Sequence, residues 1–186
     1  MSNLVSSCRR NFLRNFGGLT VGLAVSSSAF AKLSAAPVER HLQFYNLHTG
    51  ESLNTTFCVD GVFVEDSLRD INTLLRDHRT GEVCVMDPQL LILLDNLKTL
   101  MGNKQPFHIV SGYRSPATNN MLSSQSNGVA KKSLHMQGKA IDVRVPGVDV
   151  RALQKSALAL KGGGVGLYTR SDFVHLDVGR VRYWGS

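Results

Sequence analysis

The chain has 186 residues, 42% of them hydrophobic, and a formal net charge of +7. Three of its arginines and none of its acidic residues fall within residues 1–31, so the charge drops to +4 without them. The basic balance therefore belongs partly to the N-terminus and gives no ground for nucleic-acid binding; a modest positive charge suits an anionic polymer. Residues 32–186 make one ordinary domain, long enough for a real core.

Arg9-Arg10-Asn11-Phe12-Leu13-Arg14 is a twin-arginine pattern, followed by a mildly apolar run from Phe16 to Phe30 and by Ala29-Phe30-Ala31. Small residues at Ala29 and Ala31 suit a signal peptidase, so residues 1–31 are expected to be a twin-arginine (Tat) signal peptide, with the Tat machinery as export partner. The run contains Gly17, Gly18, Gly22 and several serines. It falls short of the ~20 predominantly apolar residues of a membrane span, so no stable span is expected after processing. Residues 32–39 read as a linker and residues 40–186 as the domain, placed in the periplasm. Cys58 and Cys84 lack CxxC spacing; they are either a disulfide or buried free thiols.

His41–Leu47 and Leu53–Val59 have strand composition and are joined by the turn His48-Thr49-Gly50-Glu51, which predicts a hairpin. Asp60-Gly61 is a further turn. From Asp66, Leu68, Ile71, Leu74 and Leu75 recur at helical spacing, which predicts a helix ending near Thr80-Gly81. Asp87-Pro88 is a cap and first-turn pair opening a helix to Leu100, ended by Gly102. Residues 106–111 read as a strand. Ser115-Pro116 starts a short helix through Leu122, and Ser123 to Ser133 is polar enough for a surface loop.

Ala140–Val145 alternates, with Ala140, Asp142 and Arg144 on one face and Ile141, Val143 and Val145 on the other. Asp149 caps a helix to Leu160, Gly162-Gly163-Gly164 allows a tight turn into a strand over 165–168, and residues 174–184 read as a last hairpin turning at Gly179-Arg180. This irregular order predicts an α+β fold with a mostly antiparallel central sheet flanked by helices.

The residues with chemistry are His135, Asp142 and His175. Two imidazoles and a carboxylate suit one divalent metal ion, above all zinc, and three ligands leave a position open for water as catalytic sites do. Spacing alone fits equally well an exposed histidine, a strand-end aspartate and an unrelated buried histidine. Asp177, two residues after His175, shares its strand face and is expected to support a ligand imidazole or compete as a base. Lys131 and Lys132 read as a solvated loop that can attract substrate carboxylates; His41, His48, His78 and His108 read as structural.

The pattern Ser133-x-His135-x-x-Gly138-x-Ala140-x-Asp142, followed by Asp172-x-x-His175, resembles the signature of the hedgehog/D-Ala-D-Ala metallopeptidase fold. The stretches 44–51, 111–119, 163–168 and 171–182 resemble the YcbK-like (MepK) murein endopeptidase family over nearly the whole expected domain. The resemblance implies that His135, Asp142 and His175 bind one zinc ion and that zinc-activated water attacks peptide cross-links, including those between two diaminopimelate residues. It implies Asp172 as catalytic base, Arg114 as the stabiliser of the oxyanion, and Ser133 near the substrate. Tyr113 is expected to line the cleft. Residues three apart on a straight strand face opposite sides, so Asp172 must precede the strand carrying His175. Peptidoglycan stem peptides are the expected partner. A DD-carboxypeptidase of the same fold and a non-catalytic zinc-stabilised wall-binding protein are the alternatives.

Overall fold

The computed structural model describes residues 36–126 and 128–185. The expected signal peptide and residues 32–35 of the expected linker lie outside them. Eight strands form one sheet: β1 (Glu39–Asn46), β2 (Ser52–Val59), β3 (Val62–Phe63), β4 (Phe107–Ser111), β5 (Ala140–Arg144), β6 (Gly164–Tyr168), β7 (Phe173–Asp177) and β8 (Arg182–Trp184). Four helices, α1 (Glu65–Leu74), α2 (Pro88–Leu100), α3 (Pro116–Gln125) and α4 (Val150–Leu160), punctuate them. The strand order is β3-β2-β1-β4-β5-β7-β6-β8. Only β1–β4 and β6–β8 pair in parallel, so the sheet is mostly antiparallel and the fold is α+β.

Three helices begin where side chains replace the partners their first amides lack. Asp87 accepts from the backbone N–H of Gln89 at 2.9 Å, with Pro88 in the first helical turn. Ser115 Oγ accepts from Thr118 N–H at 3.2 Å, again followed by proline. Asp149 accepts from both Arg151 and Ala152. Each is a signal visible in the sequence.

Strand alternation then sorts the residues into two layers. Ile141, Val143, Val165, Leu167, Val174 and Leu176 are all buried and share one cluster with Leu90, Leu91, Leu94 and Leu97 of α2 and Leu153 and Ala157 of α4. Burying each such aliphatic side chain contributes about 1.5–3 kcal/mol. The alternate positions of the same strands are Asp142, Gly164, Gly166, Tyr168, Phe173, His175 and Asp177, on the face turned away from that cluster. One face makes the core, and the other makes the site.

Two expected elements differ. Helix α1 stops at Leu74, although apolar spacing continues to Leu75 and polar residues follow to Thr80. Asp77 takes over the backbone there: its carboxylate accepts from Arg79 N–H at 2.9 Å and from Ser115 N–H at 2.8 Å, and Asn46 Nδ2 donates to Leu74 O at 2.9 Å. The expected last hairpin does not form either. β7 already has β5 on one side and β6 on the other, so both its edges are used. Past Gly179, β8 therefore crosses to the far side of β6 and pairs with it in parallel. Both Cys58, buried, and Cys84, half-buried, are free thiols. Among the described residues no helix is long and apolar enough to cross a membrane.

Candidate active site

Asp142 and His175 are cross-strand partners on β5 and β7. His135 reaches them from a short 3-10 turn, Leu134–Gln137, immediately before β5. Ser133 caps that turn, its Oγ accepting from His135 N–H at 3.3 Å, and Gly138 ends it in the left-handed region with φ 67°. A Cβ on Gly138 would lie 2.2 Å from Val85 O, so the turn closes against the segment before α2 only with glycine there. Asp87 N–H to Gly138 O, 2.9 Å, fixes the same approach.

Three donor atoms converge. His135 Nε2 lies 3.2 Å from Asp142 Oδ1 and 3.1 Å from His175 Nδ1, and the third edge, His175 Nδ1 to Asp142 Oδ1, is 2.9 Å. Ligands of a tetrahedral zinc at ~2.0–2.1 Å stand about 3.3 Å apart, so the triangle fits such an ion closely. All three residues are buried, and they form the one group of three or more potential metal-ligating residues found among the described residues. Borderline imidazole and carboxylate donors suit zinc, while manganese or cobalt would accept the same set.

The remaining ring nitrogens are occupied in the way metal-binding histidines require. His135 Nδ1 donates to Gly112 O at 2.7 Å, which leaves Nε2 with its lone pair toward Asp142. His175 Nε2 lies 3.0 Å from Asp177 Oδ2, which leaves Nδ1 toward the same point. Burial is the largest influence on His135 and pushes its pKa down despite the neighbouring Asp142, which favours the neutral ligand form. For His175 burial also acts downward, but hydrogen bonds to Asp142 and Asp177 reverse it and raise the pKa. Burial would raise the Asp142 carboxyl; its charge and hydrogen-bond contacts with His135 and His175 hold it well below the usual carboxylate range.

Arg114 places Nη2 on Asp142 Oδ2 and Nε on Ser111 Oγ at 2.9 Å, so its guanidinium orients the carboxylate whose other oxygen joins the triangle. The cluster opens into a cleft of ≈ 410 Å³ walled by Arg114, Lys132 and Ser133 together with Tyr168, Phe173 and Trp184. Tyr113, in contrast, is not among the residues that line the cleft: its backbone N–H donates to Leu75 O at 2.8 Å and it packs, partly buried, against the hydrophobic cluster. Asp172 precedes β7, in the left-handed region with φ 51°. Its side chain is 65% exposed and lies 3.6 Å from Arg144, outside the convergent cluster. His41, His48, His78 and His108 lie away from the cleft; His48 and His78 stack on each other at 3.7 Å.

Sequence reasoning passed over several residues here. Gly112 supplies the carbonyl that orients His135, and a Cβ at that position would meet Leu75 O at 2.4 Å. Arg182 holds Asp177, and Trp184 stands 5.1 Å from the His175 ring. Arg182 and Trp184 are spaced to share a strand face, the one signal that pairs them, but their partners follow from the unpredicted β8 crossover.

The described residues thus form an α+β unit in which a buried two-histidine, one-carboxylate cluster that could hold a metal ion opens on a cleft. The chain belongs to the family described as peptidoglycan L,D-endopeptidase MepK, whose model matches residues 34–184. It is 42% identical over 176 residues to the peptidoglycan L,D-endopeptidase MepK of Escherichia coli K12, covering 94% of this chain and 96% of that protein. The same figures hold for the Shigella flexneri protein of that name. A probable peptidoglycan L,D-endopeptidase MepK of Haemophilus influenzae is 39% identical over 183 residues, 98% of each chain. No solved structure matches the chain significantly.

Proposed function

We propose that this chain is an exported, zinc-dependent murein endopeptidase that hydrolyses peptide cross-links of peptidoglycan in the periplasm. The observation that carries this reading is the triangle of His135, Asp142 and His175 opening on the cleft. Family membership and relatives named for an L,D-endopeptidase point to the bond, an L,D cross-link such as that joining two diaminopimelate residues. Bound zinc would supply Lewis acidity and a nucleophile at neutral pH.

The chain's own groups have distinct tasks. His135, with Nδ1 anchored on Gly112, and His175, with Nε2 on Asp177, present fixed lone pairs. Arg114 holds Oδ2 of the Asp142 carboxylate and places a guanidinium on the cleft wall, where negative charge develops on the carbonyl oxygen under attack. Asp172 is the proposed base. Its position just before Phe173, a cleft residue, requires the carboxylate to leave Arg144 and turn inward when substrate binds. Ser133 holds the turn that carries His135 and lines the cleft beside the substrate.

The outward Asp172–Arg144 pair is the observation that favours a second reading, a zinc-stabilised wall-binding protein without turnover. Digestion of a purified 3-3 cross-linked muropeptide dimer, with and without chelator and followed by mass spectrometry, separates the two. Chelator-sensitive release of monomers is expected; intact dimers of every cross-link type would leave the binding reading. Release of a terminal D-alanine alone would mark a carboxypeptidase.

A further inference from the structure

We propose that Arg182, on the C-terminal strand β8, is a positioning residue for His175 that acts through Asp177. The proposal rests on the metal reading of the site. Asp177 is fully buried, and both its oxygens are filled. Oδ1 accepts from the backbone N–H of Gly164 at 3.0 Å, from Gly179 at 2.8 Å and from Arg182 Nη1 at 3.0 Å. Oδ2 accepts from Arg182 Nη2 at 2.7 Å and faces His175 Nε2 at 3.0 Å. Two parallel N–H···O bonds from one guanidinium fix the plane of a carboxylate as well as its position. The oxygen facing His175 therefore has one orientation, and the imidazole that donates to it has one as well.

The surroundings are shaped for this contact. A Cβ on Gly164 would lie 2.4 Å from both Arg182 Nη1 and Asp177 Oδ2, so the glycine leaves the room in which the two side chains meet. Trp184, two residues on, stands under the guanidinium at 5.0 Å and donates from Nε1 to the Tyr168 hydroxyl oxygen Oη at 3.1 Å, which holds Arg182 from its other side. β8 is only three residues long. Its parallel pairing with β6, with Gly164 opposite Arg182, is what delivers the guanidinium to the far end of a ligand histidine's hydrogen-bond chain. Partners of this kind orient ligand rings, and their removal typically weakens metal binding about 10–100-fold.

The test uses the purified protein as wild type, Arg182→Gln, Asp177→Asn, the double variant and Arg182→Lys, each stripped of metal. Zinc affinity is measured by competition with a chromophoric chelator, and the visible spectrum of the cobalt(II) form reports the field at the ligands. Each Gln or Asn single variant is expected to bind zinc about 10–100-fold more weakly, with the double variant no weaker than Asp177→Asn alone. Arg182→Lys, which keeps the charge and one hydrogen bond, should recover part of the loss and of the cobalt spectrum. Affinity of Arg182→Gln within about threefold of wild type, or independent additive losses in the double variant, would overturn the proposal. If Arg182→Gln fails to give a folded circular-dichroism spectrum, Arg182→Lys is compared with wild type on the same two measurements. Failure of the wild type to take up zinc would instead sink the metal reading. The relay is then read from nitrogen-15 shifts of the His175 ring in metal-free protein: Nε2–H in the wild type and mixed tautomers in Arg182→Gln support it, and identical spectra refute it.

Discussion

Asp142 and His175 stand directly opposite each other on antiparallel strands β5 and β7, with Oδ1 and Nδ1 2.9 Å apart. The pairing register therefore sets the triangle of donor atoms: a slip of one residue in either strand would turn that strand's side chain into the apolar cluster and leave its partner alone on the site face. The alternation of Ile141 and Val143 against Val174 and Leu176 on the buried face holds the register in place.

Asp142→Asn keeps this shape and removes the anion. Zinc affinity is expected to fall at least about 100-fold, beyond the loss typical of a supporting partner. The stabilisation that wild type gains from added zinc, seen as a rise in Tm, should shrink with it. An unchanged chelator-competition curve would show that the metal sits elsewhere.

Asp172 lies in solvent beside Arg144, so its removal costs the fold little. For Asp172→Ala, Tm should shift by an amount equivalent to less than about 0.5 kcal/mol. Zinc content should stay unchanged, while release of muropeptide monomers falls roughly 10²–10⁴-fold, the range for a lost general base. Wild-type release by this variant would remove Asp172 from the mechanism and return the base role to another group.

Gly138→Ala forces an L side chain into the left-handed region, at about 1–2 kcal/mol, and drives its Cβ toward Val85 O. The turn carrying His135 must shift, so loss of stability by ~2 kcal/mol or more should come with weakened zinc binding. Denaturant unfolding with and without zinc measures both. A stable variant with intact affinity would show that the turn tolerates the change.

Asp77 links stability to pH. Burial would raise its carboxyl, but hydrogen bonds from Thr118, Ser115 and Arg79 outweigh that and hold it below the ordinary aspartate range. A group lowered on folding contributes fully above its unfolded value of about 3.9 and loses that contribution as pH falls through the folded value. Asp77→Ala should cost about 3 kcal/mol at pH 7, because two backbone N–H groups lose a charged acceptor. The gap to wild type should narrow only in strong acid. A gap that closes already at pH 5–6 would contradict the assignment.

Much of this site was legible in the sequence because its signals are local. Asp87-Pro88, Ser115-Pro116 and Asp149 each satisfy the first amides of their own helix, so short stretches sufficed to place α2, α3 and α4. The face shared by Asp142 and Arg144 follows from strand alternation, as does the one shared by His175 and Asp177. The end of α1 was not legible, since Asp77 draws the chain toward Ser115, 38 residues away. That Tyr113 falls outside the cleft lining was not legible either, because its backbone is held by Leu75, 38 residues earlier in the chain.

By itself, the sequence determined the element order, the α+β class, the three candidate ligands and the family resemblance. All of these rest on residue identity and short-range spacing. The tertiary structure decided which nitrogen of each histidine faces the cluster, through Gly112 and Asp177, and it decided that Asp172 lies outward on Arg144. It also decided the path of β8. That strand looks like the return of a hairpin until both edges of β7 are seen to be taken, and edge occupancy is a property of the assembled sheet that no neighbouring residues encode.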